Sequence, residues 1–132
     1  MSLSAVGVDV VSVGRVRRML KRWGDRLLER LFLREELDSF SAAGGRPGDG
    51  RFDERVAARV AAKEAVMKVL GTGRDGIAWR EIVVTGGGRG GLRVRLTGRA
   101  ESEAGERGIT RILVSVTHDG GMAAAVAVGC SG

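Results

Sequence analysis

The sequence predicts an α+β fold in which a mostly antiparallel sheet packs against one long helix. Three observations carry that prediction. Residues 52–70 form an alanine-rich run with no internal breaker, stopped by Gly71 and Gly73 where a C-terminal cap belongs. Residues 92–97 alternate Leu92, Val94 and Leu96 with Arg93 and Arg95, and glycines separate them from the strand-like segment 79–85, which is the pattern of a hairpin. The order of segments is strand, short helices, long helix, hairpin, helix, hairpin, which suits antiparallel pairing rather than a parallel βαβ sheet. At 132 residues the chain, 1–132, is one domain's worth with a single core.

Residues 3–13 are valine-rich and read as the first strand, with Ser12 or Gly14 opening a helix near residue 14. Val13, Val16, Leu20 and Trp23 recur at three- and four-residue spacing and are expected inside, with Arg15, Arg17, Arg18, Lys21 and Arg22 outside. Residues 25–32 give a short second helix with Leu27, Leu28 and Leu31 inward, and 34–40 continue as a third. Residues 41–51 hold four glycines and the only proline, and read as a loop. After the long helix, strands 79–85 and 92–97 pair around the glycine-rich turn 86–91. Residues 98–108 form a polar surface helix. Strands 112–116 and 122–128 close the chain, joined across 118–121.

Composition narrows the function. A hydrophobic fraction of 43% and a charged fraction of 29% are those of a globular chain. Basic residues outnumber acidic ones 22 to 16, and the net charge of +6 calls for an anionic partner: nucleic acid, a phosphorylated small molecule, an acidic protein or a membrane surface. Between Arg15 and Arg34 there are eight basic and two acidic residues, so this stretch accounts for the whole excess and the rest balances. One cysteine, Cys130, and one histidine exclude a disulfide framework and the usual zinc clusters, and imply a reducing, cytoplasmic setting. The apolar start is interrupted by Asp9 and no basic residue precedes it, unlike a signal peptide. No segment approaches the roughly 20 apolar residues of a bilayer span, so no membrane partner is expected. Arginine outnumbers lysine 19 to 3, which makes each lysine informative.

Several residues stand out chemically. Asp9 lies in GVDVV, where strand propensity disfavours it; it is either an edge aspartate facing water or a metal ligand or base. The segment ARVAAKEAVMKVLGTG holds Lys63 and Lys68, with Glu64 and Lys68 four apart and Arg59 and Lys63 another four-residue step. A solvated, salt-bridged face is the plain reading. Ala57 and Ala61 count against it, because small residues beside Glu64 let a ligand or strand approach closely, and lysine supplies a compact ammonium suited to phosphate oxygens. Arg59 and Glu64 diverge by about 140° around the helix, so one small ligand could not touch both from a single chain. His118, in VSVTHDGG, sits near a strand end beside two glycines and is either structural or a phosphate contact. Gly71-Thr72-Gly73 follows a helix C-terminus, whose dipole repels anions, and reads as a cap and turn that lets a ligand lie close to the backbone.

Taken together, GVDVVSVGR, FLREEL, ARVAAKEAVMKVLGTG and VSVTHDGGMAAAVAV resemble, in order, the motifs of the holo-acyl-carrier-protein synthases, the small phosphopantetheinyl transferases. The resemblance spans nearly the whole chain. It implies the 4′-phosphopantetheinyl transferase fold, a homotrimer with sites between subunits, and transfer of 4′-phosphopantetheine from coenzyme A to a serine of an acidic apo acyl carrier protein. By the same resemblance, Asp9 and Glu64 hold Mg²⁺, and Asp9, Glu64 and Lys68 are the catalytic set. Arg59, Lys63, Lys68, Gly71 and His118 bind coenzyme A, and Arg15, with Arg18 and Arg22 beside it in the basic patch, docks the carrier. Leu33 stands where many members have threonine, although Glu36 matches the following acid. Gly90 replaces a common proline in the hairpin. The competing reading, a nucleic-acid-binding domain, lacks an aromatic stacking platform, with two Trp, three Phe and no Tyr, and no nucleic-acid partner is expected.

Overall fold

A computed structural model describes residues 1–42, 49–71 and 76–132, for 41, 42 and 88 the backbone alone. The elements run β1 (Ser2–Ser12), α1 (Val13–Trp23), α2 (Asp25–Leu31), α3 (Arg34–Ala42), α4 (Gly50–Leu70), β2 (Ile82–Gly86), β3 (Leu92–Leu96), α5 (Gly98–Glu106), β4 (Arg111–Asp119) and β5 (Met122–Ser131). All strand pairs are antiparallel. A three-stranded sheet has the order β1-β5-β4, and β2 and β3 form a separate two-stranded sheet. The α+β class and the long helix are as the sequence predicts.

Helix α4 is the spine of both cores. Its small residues, Ala57, Ala61 and Ala65, are fully buried. One core packs its C-terminal half, with Val66, Val69 and Leu70, against β2, β4, β5 and α5; the other packs Val56 and Ala57 against Val16, Leu20, Leu28, Phe32 and Phe40 of the first three helices. Alanine is what permits this, because a strand can lie against the helix backbone. Gly7 of β1 takes the closest approach: a Cβ there would overlap the Ala65 carbonyl oxygen and stand 3.0 Å from the Lys68 Cβ.

Three local readings need correction. Residues 79–81 are a turn of 3-10 helix and not the start of a strand; Glu81 accepts from the Ala78 N–H at 2.7 Å and from the Arg99 N–H at 2.6 Å, which bends the chain before β2. The last hairpin turns on Gly120 and Gly121 alone, with φ of 57° and 78°, so His118 lies inside β4 opposite Ala123. Trp23, expected inside, is 45% exposed, while Val13, Val16 and Leu20 are buried as predicted. Arg17 is exposed as predicted, and its Nε also donates to Oδ2 of buried Asp53 at 2.8 Å. Within the predicted loop 41–51, residues 43–48 lie outside the described residues; helix α4 begins at Gly50 with the Asp49 carboxylate accepting from the Arg51 N–H.

Candidate active site at the meeting of β1, α1 and α4

Pairing register places Asp9, Ala125 and Val116 in one row and Val11, Ala123 and His118 in the next. Because side chains alternate along a strand, these rows share the face turned to α4, while Val6, Val8 and Val10 point the other way and are more than half exposed. The close approach at Gly7 brings the next turn of α4 onto the strand. There Lys68 Nζ donates to the Val8 carbonyl at 2.7 Å and to Asp9 Oδ1 at 3.2 Å. Asp9 is almost covered, with 12% of its side chain exposed, and Lys68 is 55% exposed. Asp9 Oδ2 is buried with no hydrogen-bond partner. A buried carboxylate oxygen left unpaired is costly in an isolated protein and is the kind of atom a cation satisfies.

Glu64, one turn before Lys68, faces a cavity of about 830 Å³. The cavity is lined by the apolar side chains of Val11, Val16, Met19, Leu27, Leu31 and Trp79, and its basic residues are Arg15, Arg26 and Arg30, so one acidic and three basic groups share it. Of the three docking arginines read from the sequence, Arg15 lines this cavity; Arg18 and Arg22 are exposed but lie off it, Arg22 stacking over the Trp23 ring at 5.1 Å. Arg26 and Arg30 were the missed members. They belong to the same basic stretch, but helix α2's orientation against α1, set by the turn at Gly24, decides which arginines face inward, and no local pattern reports it.

The divergence of Arg59 and Lys63 from Glu64 is real, and both basic residues point into the protein. Lys63 is fully buried. Its ammonium donates to the Leu31 carbonyl at 2.7 Å, to Glu36 Oε1 at 2.9 Å and to the Trp79 carbonyl at 3.0 Å. Glu36, also fully buried, accepts in addition from the Leu33 and Val84 N–H groups, each at 2.9 Å. Burial pushes the Lys63 ammonium down to about 8, with Glu36 pulling the other way. Arg59 spends its Nη1 on the Val84 carbonyl at 2.7 Å and its Nη2 on the Gly86 carbonyl at 2.9 Å, and burial lowers its pKa against the pull of Glu36. Neither is placed to grip a nucleotide from this chain's own cavity, and for Lys63 the three interior bonds overturn the ligand-contact reading.

Gly71 is the C-terminal cap of α4, with φ 75° and its N–H shared between the Met67 and Lys68 carbonyls. That N–H is committed to the helix, as the cap reading expects. Residues 72–73 lie outside the described residues. His118 is half exposed, and its Nδ1 stands 2.6 Å from Glu54 Oε2 near the start of α4. Among the described residues no group of three or more metal-binding side chains occurs, and no helix is long and apolar enough to cross a membrane.

Comparison with known proteins adds the following. A family model described as the 4′-phosphopantetheinyl transferase superfamily matches residues 5–127. Over 123 residues the chain is 46% identical to a holo-[acyl-carrier-protein] synthase of Desulforudis audaxviator, which covers 93% of this chain and 89% of that protein. The crystal structure of a holo-[acyl-carrier-protein] synthase from Neisseria meningitidis superposes with a TM-score of 0.81 at 28% identity, covering 98% of this chain and 99% of that one. A holo-(acyl-carrier-protein) synthase from Bacillus anthracis, solved in complex with CoA (3′,5′-ADP), superposes with a TM-score of 0.76 at 26% identity over 100% of both chains.

Proposed function

The chain belongs to the 4′-phosphopantetheinyl transferase superfamily and is a holo-[acyl-carrier-protein] synthase, and from that premise we propose that it transfers 4′-phosphopantetheine from coenzyme A to a serine of an acidic apo acyl carrier protein, requires Mg²⁺ and releases adenosine 3′,5′-bisphosphate. The observation that carries the reading is the unpaired, buried Asp9 Oδ2 beside Lys68, next to a cavity that Glu64 shares with three arginines. Asp9 and Glu64 suit magnesium, which needs only one or two protein carboxylates and completes its octahedron with water and phosphate oxygens. When bound, the ion supplies positive charge to the pyrophosphate of coenzyme A.

The chain's own groups do the rest. Transfer forms a bond between the serine oxygen and the phosphorus bearing pantetheine and breaks the bond from that phosphorus to the leaving bisphosphate. The serine proton goes to Glu64 or to a water that Glu64 holds. Lys68 uses two of its N–H donors on Val8 and Asp9, and its exposed ammonium offers a third to a phosphate oxygen. His118 and Arg59 serve the phosphates at an inter-subunit site, His118 through Nε2, since Nδ1 faces Glu54. The acidic carrier docks on Arg15, Arg26 and Arg30, with Arg18 and Arg22 adding long-range attraction. Such a site is built mainly from positioning and charge neutralisation.

The single transferase domain is proposed to work as a homotrimer. Supporting this, the outer face of the three-stranded sheet presents Val6, Val8, Val10, Leu113 and Val126 to solvent, an apolar patch of the kind that subunits cover. Val10 and Met122 belong to that face and also line the cavity, so a neighbouring copy would stand at the cavity's edge.

The test is mass measurement of an apo carrier after incubation with coenzyme A. The expected result is a gain of one phosphopantetheine group that is lost on chelation, restored by Mg²⁺, and reduced at least about a hundredfold in rate by Glu64→Gln. Undiminished turnover by that variant would remove Glu64 from both of its roles.

A further inference from the structure

The buried pair Lys63–Glu36 is not used by the reaction as described, yet both side chains are fully buried and each makes three hydrogen bonds. One ammonium nitrogen binds three acceptors from three separate segments: the Leu31 carbonyl at the end of α2, Glu36 of α3 and the Trp79 carbonyl before β2. The Phe32 ring closes over it at 4.8 Å. Glu36 in turn holds the Leu33 and Val84 N–H groups. A paired charge in the interior is seldom the most stabilising choice, since apolar side chains of similar volume often do as well or better. Stability alone therefore does not account for it.

Location does. Leu31 and Trp79, whose carbonyls Lys63 grips, both line the cavity, and Lys63 is the sequence neighbour of Glu64, which lines it too. Leu31 ends the helix that carries Arg26 and Arg30. One side chain thus fixes, relative to Glu64, the α2 wall with its two arginines and the Trp79 wall. We propose that Lys63, oriented by Glu36, is a positioning residue that sets the spacing between the arginine-bearing wall and Glu64, and so the docking of the carrier. This rests on the carrier-docking reading above and names the element that controls it. Lys68 reaches Val8 and Asp9 of β1 by a separate set of bonds, and the pair meets Arg59 through Val84, whose N–H Glu36 holds and whose carbonyl Arg59 holds, so its larger effect falls on the carrier side.

The experiment compares wild type with Lys63→Met/Glu36→Leu, which replaces the pair by apolar residues of similar size and removes both of its buried charges together. KM for apo carrier, KM for coenzyme A and kcat are measured separately, with circular dichroism melting to establish the fold. The expected split is a rise of about tenfold in carrier KM with coenzyme A KM within about twofold of wild type. Lys63→Gln/Glu36→Gln is the gentler counterpart. It keeps a hydrogen bond between the two side chains but no donor that reaches both carbonyls, and the same split is expected. An unchanged carrier KM in a folded double variant overturns the assignment, as does an equal rise in both KM values. Loss of fold in both double variants makes the pair a stability element alone and also overturns it. If wild type modifies no carrier, the transferase reading itself has failed, which the wild-type arm shows independently.

Discussion

Gly7 shows what a single atom controls. With no Cβ it lets β1 touch the Ala65 carbonyl, and this brings Lys68 within reach of both Val8 and Asp9. Gly7→Ala is expected to cost about 3 kcal/mol, since neither strand nor helix backbone can yield cheaply. Urea unfolding reads that cost directly, and a midpoint equal to wild type would mean the strand can shift away. Asp9 was legible as an anomaly because an acid among valines violates strand propensity. The fate of Lys63 was not. Its four-residue spacing from Arg59 fits a solvated face, and its true partner, Glu36, stands 27 residues away on another helix. Spacing along a helix reports which residues share a side of it, and it says nothing of what that side meets.

At the level of elements, helix α3 begins with half of a capping arrangement. The Glu36 side chain accepts from the Leu33 N–H, as the third helical residue does in a capping box, but Leu33 has no oxygen to return the bond. Leu33→Thr supplies one. The expected gain is about 1 kcal/mol, seen as a higher melting temperature, and a lower one would show that the leucine's own packing outweighs the cap. Elements with purely local causes were readable: α4 from its alanines and Gly71, and β3 from its alternation. The segment at Trp79 was not, because its 3-10 turn depends on Glu81 receiving N–H groups from Ala78 and Arg99 and on the Thr97 N–H reaching the Glu81 carbonyl. Two of those partners lie beyond the next hairpin. Similarly, the basic stretch was visible as charge, while the choice of Arg26 and Arg30 over Arg18 and Arg22 waited on how α1 and α2 cross.

For the whole molecule, the exposed valines of β1 make a quantitative claim on assembly. Val8→Lys places a charge midway along the edge strand β1 on the outer sheet face, directly across from Val126 of the central strand. The expected result is a shift from trimer to monomer in sedimentation at micromolar concentration, with loss of turnover if the site needs a neighbour. A wild-type protein that sediments as a monomer would sink the trimer. The pairing of β1 with β5 has a different outcome, in time. Residue 9 meets residue 125, so the ladder that supports Asp9 joins the earliest strand to the latest, and such distant closure slows folding. Helix α4 and the β2–β3 hairpin can form as the ribosome delivers them. The aspartate's surroundings cannot exist until synthesis has passed β5, more than a hundred residues after Asp9 itself is made.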